Sequence, residues 1–165
     1  MAAYPELFER NEIPVECERF GAIVVSIGKT FKSLKPLAPT IANVVSKITG
    51  RKCTDVVITD EINVPFADYT NGVIWLRPNL SQPLEALVAQ AAHEAGHFAV
   101  PPARFWTRWV QSKPKRYRIF AMRLAMTEDI RVNTWLSENG FAEQVRWLEN
   151  RMFSRPESRY GILKQ

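Results

Sequence analysis

The sequence predicts an α+β fold, with a small mixed sheet in its first half and mostly helices in its second. A chain of 165 residues that is 46% hydrophobic and 24% charged has the composition of a single globular domain. Short apolar runs of strand type lie before about residue 80, whereas longer helical patterns follow it. We therefore expect one domain over residues 1–165, with a sheet-containing part at about 1–80 and a helical part at about 81–165.

The first part contains the patterns of a helix and at least two strands. Residues 21–28, GAIVVSIG, form an apolar run that suits either a strand or the start of a buried helix. A helix is predicted from about Pro39 to a stop at Gly50. Strands are predicted at Asp55–Asp60 and, after the turn-rich stretch DYTNG, at Gly72–Leu76.

Three helices are predicted in the second part. The first begins near Pro83, because a proline in the first turn lacks only an N–H that would be unpaired there. It ends at the Pro101-Pro102 pair, since proline cannot continue a helix. A long helix over about 115–137 and a shorter one over about 141–153 follow. The sheet is expected to pack on the first of the three.

The strongest chemical pattern is the string HEAGH, which begins at His93 inside the first of these helices. His93 and His97 are four residues apart, so both imidazoles project from one helical face and can reach the same Zn²⁺. Glu94 lies about 100° round the helix, where it can address a metal-bound water as general base. The small residues Ala89 and Gly96 are expected to leave room for metal, water and substrate. The chain has no third histidine.

A catalytic zinc needs a third protein ligand, which here must be a carboxylate unless an upstream cysteine supplies it. Glu128 is the choice, because it falls at the centre of an apolar stripe where an unpaired carboxylate would be costly. The stripe consists of Ala121, Leu124, Ala125, Val132 and Trp135. Asp129 is the fallback ligand, or the acceptor for the second N–H of a ligand histidine. Arg131 is expected to brace the Glu128 carboxylate, to polarise a substrate carbonyl, or to form a structural ion pair.

The HExxH string at 93–97, followed by a helix that bears Glu128, resembles the gluzincin branch of zinc metallopeptidases, including its very small members. The run from Glu128 to Arg131 is similar to the glutamate helix of some bacterial and phage-borne metallopeptidases. The resemblance covers about residues 54–137, and its first motif is far more specific than its second. Larger gluzincins carry an acidic residue four positions after the ligand glutamate, where this chain has Val132.

The resemblance implies a zincin-like fold, one Zn²⁺ per chain and hydrolysis of peptide bonds. Zinc held by His93, His97 and Glu128 would acidify a water, and Glu94 would take its proton. In zincins the strand before the motif helix commonly pairs with an extended peptide substrate. That strand would here consist of Gly72, Val73, Ile74, Trp75 and Leu76. Candidates for stabilising the oxyanion remain open among Tyr69, Tyr117, Tyr160 and Arg131.

A binding module with a zincin fold and little or no hydrolysis is the alternative function. Residues 98–127 carry seven basic residues and no acidic one, in a chain of net charge +5. The basic segment 104–123 also contains aromatic residues, which could stack on nucleic-acid bases or belong to the core. It therefore predicts a possible nucleic acid or acidic partner, beside the peptide or protein substrate of the leading hypothesis.

The chain is expected to be cytoplasmic and to have no membrane partner. Its N-terminal stretch carries Glu6, Glu9 and Glu12 where a signal peptide needs a basic segment and then an apolar one. No run of 18 or more apolar residues occurs. The two cysteines, Cys17 and Cys53, are expected to be buried free thiols.

Overall fold

The computed structural model describes residues 15–100 and 118–153. Its strands are β1 (Val15–Phe20), β2 (Ile23–Gly28), β3 (Asp55–Ile58), β4 (Phe66–Asp68) and β5 (Val73–Leu76). Its helices are a 3-10 helix (Lys29–Leu37) and the α-helices α1 (Ala38–Thr49), α2 (Leu84–Ala99), α3 (Arg118–Glu138) and α4 (Ala142–Phe153). The chain is therefore a mixed α+β protein, with the described strands all preceding α2.

The five strands form one mixed sheet in the order β1-β2-β3-β5-β4. The central strands β2, β3 and β5 are parallel, while β1 and β4 run antiparallel to them on the two sides. Because parallel strands end at the same edge of a sheet, the C-terminal ends of β2, β3 and β5 lie together. At that edge β5 leads into α2.

The apolar run at residues 21–28 suited either a strand or the start of a buried helix, and it contains strand β2. A turn at Gly21, with φ of 61°, joins it to β1, and a left-handed conformation of this kind costs glycine little. The predicted strands at Asp55–Asp60 and Gly72–Leu76 are confirmed as β3 and β5. Strands β1 and β4 were not predicted, because both are edge strands and neither has an apolar run.

One hydrophobic core joins the sheet to the helices. Its sheet side consists of alternate residues of the three parallel strands, as expected when successive side chains point to opposite faces. These residues are Ile23, Val25, Ile27, Val56, Ile58, Ile74 and Leu76. From α1, Ile41 and Val45 are fully buried in the same core, and α2 contributes small residues such as Ala91 and Ala95. The small residues let α2 lie close to its neighbours, so the predicted packing of the sheet on this helix is confirmed.

The helix boundaries agree with the proline and glycine signals. Helix α1 has Pro39 in its first turn and ends before Gly50, whose φ is 61°. Helix α2 follows Pro83 and ends at Ala99, directly before the predicted stop. The two later helices also fall where the sequence places them. Among the described residues, none of these helices is long and apolar enough to cross a membrane.

Both cysteines are free thiols, but only one is buried. Cys53 is inside the core, and its burial raises the pKa of the thiol to about 11. Cys17 is exposed on the edge strand β1, so the expectation of burial is wrong for this residue.

Candidate metal centre

Helix α2 presents the two histidines of the HEAGH string side by side. The Nε2 atoms of His93 and His97 are 3.3 Å apart, and their rings meet at 90° with centroids 4.9 Å apart. Two neutral imidazole nitrogens at this distance need a proton or a cation between them, because their lone pairs repel each other. The spacing of four residues therefore brings the two imidazoles together on one face of α2, as expected.

Helix α3 brings a carboxylate to the same point. Asp129 Oδ1 lies 3.3 Å from His93 Nε2 and 3.4 Å from His97 Nε2. Two imidazole nitrogens and one carboxylate oxygen thus form a triangle of potential ligand atoms. The group of His93, His97 and Asp129 could hold a metal ion. The Asp129 side chain is 47% exposed, whereas the two histidine side chains are each 16% exposed.

Glu128 was the first choice as third ligand, but it is the fallback Asp129 that lies beside the two histidines. Glu128 is not part of the converging group. Its Oε2 lies 3.6 Å from Arg131 Nη2 in an i, i+3 ion pair on α3. Within the described part of the chain, that buried oxygen accepts no hydrogen bond. Glu128 thus forms an ion pair with Arg131, which is one of the roles predicted for Arg131.

The rotation of α3 about its axis explains why Asp129 and not Glu128 reaches the histidines. Val132 and Leu136 are fully buried and pack against α2 at Gly96. A Cβ atom added at Gly96 would lie only 2.5 Å from Val132 Cγ1. Asp129 and Glu128 precede Val132 by three and four residues, so they lie on the two sides of its helical face. Asp129 is on the side that also carries Asn133, whose amide contacts His93. The close contact at Gly96 therefore turns Asp129 towards the metal centre.

The two small residues of α2 serve packing and do not leave the space that was expected of them. The space beside Gly96 is filled by Val132 and Leu136. Ala89 is fully buried in the interior. The side chain of Asp129, in contrast, is 47% exposed.

Asn133 is a residue of the site that the sequence did not reveal. Its Oδ1 lies 2.9 Å from His93 Nδ1, so the amide oxygen can accept the Nδ1–H of the ring. This bond selects the tautomer that leaves Nε2 with a free lone pair, directed at His97 and Asp129. Asn133 is four residues after Asp129, which is the spacing at which larger gluzincins carry their acidic residue after the ligand. The same spacing, counted from Asp129 instead of Glu128, would have pointed to Asn133 in the sequence.

Asp129 and His93 perturb each other electrostatically. Burial acts to lower the pKa of His93, but the Asp129 carboxylate and the charge of Glu94 outweigh it and raise the pKa from 6.5 to about 9. Burial acts to raise the pKa of Asp129, but hydrogen bonds from His93 and His97 hold it well below its usual 3.8. Both shifts favour a protonated imidazole beside an ionised carboxylate when no metal is bound. The environment favours positive charge at that point.

Glu94 is a buried carboxyl next to the ligand group. Its relative exposure is 8%, and burial raises its pKa above the usual 4.5. The negative charge of Asp129 acts in the same direction, while His93 and His97 act against it. A raised pKa brings the carboxyl closer to the range in which a general base works well at neutral pH.

Cationic side chains contact the C-terminal end of α2, just beyond the histidines. Lys52 Nζ donates to the carbonyl of Phe98 at 3.3 Å, and Arg131 Nη2 approaches the carbonyl of Val100 at 3.5 Å. Positive charge is favourable at a helix C-terminus, where carbonyl groups lack partners. Arg131 thus joins Glu128 to the end of α2. These contacts fix the part of the helix that carries His97.

The substrate-strand prediction for Gly72, Val73, Ile74, Trp75 and Leu76 needs correction. Strand β5 pairs with β3 on one side and with β4 on the other, so its main chain is already bonded on both sides. In the described sheet, the outermost strand next to β5 is β4. Tyr69 follows β4 and packs on Phe98 of α2, with ring centroids 5.4 Å apart. The edge available for strand addition is thus one strand farther out than expected.

Several predictions fall outside the described residues. Most of the basic segment 104–123 does so, as do Tyr117 and Tyr160. Of the oxyanion candidates, Tyr69 and Arg131 are in the described part.

No family model matches this chain, and comparisons with curated proteins and with solved structures likewise give no match.

Proposed function

We propose that this chain is a zinc-dependent metallopeptidase of the zincin type, with zinc held by His93, His97 and Asp129. The observation that carries the proposal is the size of the ligand triangle, whose edges measure 3.3, 3.3 and 3.4 Å. Zinc bonds to histidine and carboxylate ligands are about 2.0–2.2 Å long, and a tetrahedron around such an ion has edges of about 3.3–3.6 Å. The three donor atoms therefore match one face of a zinc tetrahedron.

The donor set suits a catalytic zinc. Two histidines and a carboxylate leave the fourth position open, as catalytic zinc sites do. The half-exposed side of Asp129 gives that position access to solvent. Asn133 supplies the hydrogen bond that ligand histidines usually make through their other nitrogen. When bound, zinc would supply Lewis acidity, which polarises a carbonyl group and lowers the pKa of water.

Glu94 is the proposed general base. It follows His93 directly on α2, and its buried carboxyl has a raised pKa. A carboxylate in this position can take a proton from water during attack on a carbonyl carbon and pass it to the leaving amine. Hydrolysis of an amide needs both transfers, so Glu94 would serve twice.

The proposed substrate is an extended peptide that pairs with the edge strand β4. An edge strand exposes main-chain donors and acceptors to which another chain can add. Strand β4 also contacts α2, and Tyr69 at its end packs on Phe98, the neighbour of His97. A peptide added to β4 would therefore pass beside the metal centre. The zincin likeness proposed here rests on this arrangement of edge strand, motif helix and ligand helix.

Glu94→Gln is the variant that tests the function. Glutamine keeps the shape of the side chain but cannot take a proton, so the variant should bind one zinc per chain and lose peptide cleavage by at least a hundredfold. Glu85→Gln is the matched control, because it makes the same change on an exposed first-turn residue of the same helix.

The measurement combines metal analysis with mass spectrometry of a synthetic peptide library before and after incubation. We expect cleavage by the zinc-loaded wild type and by Glu85→Gln, and no cleavage by Glu94→Gln with its zinc intact. Cleavage by Glu94→Gln at the wild-type rate would rule out this mechanism. A zinc-loaded wild type that cleaves no peptide would refute the peptidase function itself.

A further inference from the structure

A pocket lies at the end of the sheet where β5 leads into α2. The loop after β5 forms one wall through Arg77 and Leu80, and the first turns of α2 form the other through Leu84, Leu87 and Gln90. Leu34 of the 3-10 helix closes it from the side of the core. The described part of the chain thus has a cavity at the sheet edge where the parallel strands end.

This pocket and the metal centre share one face of α2. Ala86, Gln90, His93 and His97 follow one another at steps of four, three and four residues, which is the spacing of a single helical face. Ala86 and Gln90 line the pocket. At a rise of about 1.5 Å per residue, Ala86 precedes His93 by about 10 Å. An extended chain covers that distance in about three residues.

The direction of the sheet decides which end of a substrate would reach the pocket. A peptide that adds antiparallel to β4 runs in the same direction as β5, because β4 and β5 are antiparallel. Strand β5 runs towards Arg77, which is in the wall of the pocket. Residues on the C-terminal side of the cleaved bond would therefore approach it.

The chemistry of the pocket favours an apolar side chain. Leu80 and Leu84 at its rim are 58% and 53% exposed, whereas Leu34 and Leu87 are buried. Two of its polar groups already have partners: Gln90 Oε1 accepts the Arg77 backbone N–H at 3.2 Å, and Arg77 Nη1 donates to the carbonyl of Ile62 at 2.6 Å. An apolar side chain would cover the exposed leucine surface without disturbing these bonds.

We propose that this pocket is a specificity site for an apolar side chain, about three residues to the C-terminal side of the cleaved bond. A leucine or methionine is the class of residue it fits. The proposal rests on the proposed function, since it takes the peptide to run along β4 past the metal centre. Burying such a side chain should give about a tenfold to hundredfold preference over serine.

The test uses a synthetic decapeptide library and two readouts on the zinc-loaded full chain. Cleavage by the wild type defines the scissile bond and the residues preferred around it. Equilibrium binding of the same library to Glu94→Gln gives the preference without any cleavage. Both are repeated with Leu84→Ser, which removes apolar surface from the rim, and with Val64→Ser as control. Val64 is 57% exposed and does not line the pocket.

We expect leucine and methionine to be preferred at least tenfold over serine at one position C-terminal to the bond, with the preference lost in Leu84→Ser and kept in Val64→Ser. Cleavage that shows no such preference, or a preference that survives Leu84→Ser, would overturn the proposal and leave the peptidase function standing. Apolar-selective binding that is lost in Leu84→Ser, without cleavage by the wild type, would overturn the peptidase function and leave the pocket.

Discussion

Replacing Gly96 by alanine tests how the metal centre is built. The added Cβ would lie 2.5 Å from Val132 Cγ1 and 3.3 Å from Leu136 Cδ1. Ordinary contacts between carbon atoms are about 3.5–4.0 Å long, so α3 has to move away from α2 by about 1 Å. Such overpacking costs about 1–3 kcal/mol, whereas alanine gains about 1 kcal/mol over glycine in helix propensity. We expect a net loss of about 1 kcal/mol in the free energy of unfolding.

The effect on metal binding should be larger than the effect on stability. Asp129 and Val132 share one face of α3, so a shift of about 1 Å also carries the carboxylate away from the histidines. Metal sites tolerate deviations of only about 0.2 Å in ligand distance. We therefore expect zinc affinity to fall by at least tenfold, measured by competition with a chromophoric chelator. Urea unfolding of the metal-free chain measures the stability.

A second substitution provides the control for this experiment. Val132→Ala removes the methyl group nearest the new Cβ, so the double variant Gly96→Ala/Val132→Ala should recover zinc affinity relative to Gly96→Ala alone. The reasoning would be refuted if Gly96→Ala kept wild-type zinc affinity and gained about 1 kcal/mol of stability, as helix propensity alone predicts.

Two further predictions concern the surroundings of His93. Asn133→Leu should weaken zinc binding about tenfold to a hundredfold, because it removes the acceptor for His93 Nδ1–H, while Asn133→Asp keeps an acceptor and should retain the affinity. The exposed neighbour Thr134→Val serves as control, and equal affinities for all three variants would contradict the role of Asn133. In the metal-free chain, the raised pKa of His93 predicts a stability contribution that is complete below pH 6.5 and is lost as the pH rises through about 9. The lowered pKa of Asp129 predicts a contribution that is present above its usual 3.8 and is lost as the pH falls below it. Urea unfolding between pH 3 and 10 checks both, and a stability that is flat across this range would argue against the ion pair.

The motif helix could be predicted almost completely from the sequence. Its start at Pro83, its end before Pro101 and the pairing of His93 with His97 all depend on local rules of helix geometry. Strands β3 and β5 were predictable for a similar reason, since each is a buried apolar run between turns. A helix or strand can be predicted from local sequence patterns when its own residues carry the pattern.

The sequence did not single out Asp129 over Glu128 as the carboxylate beside the histidines, because the sequence of α3 does not fix its rotation. Apolar residues occur on several sides of this helix, and Ile130, beside Asp129, is 65% exposed. A histidine-facing side on the Glu128 flank of Val132 was therefore as plausible as one on its Asp129 flank. The decision depends on the contact at Gly96 of another helix, 36 residues before Val132. A contact between two helices cannot be predicted from the residue pattern of one helix alone.

Strand β4 was missed for a related reason. It has three residues of intermediate burial in a turn-rich stretch, and its order comes from pairing with β5. Since β4 pairs with β5, missing β4 also placed the free edge of the sheet one strand too far in. Its short length left too few residues for an alternating pattern.

Zinc content after dialysis against a weak chelator, compared between Asp129→Ala and Glu128→Ala, tests the central claim most directly. We predict one zinc per chain in the wild type and in Glu128→Ala, and a loss of zinc in Asp129→Ala, because Asp129 Oδ1 lies within 3.4 Å of both histidine nitrogens and Glu128 is not in the converging group. Zinc that is retained in Asp129→Ala and lost in Glu128→Ala would contradict a metal centre built on His93, His97 and Asp129.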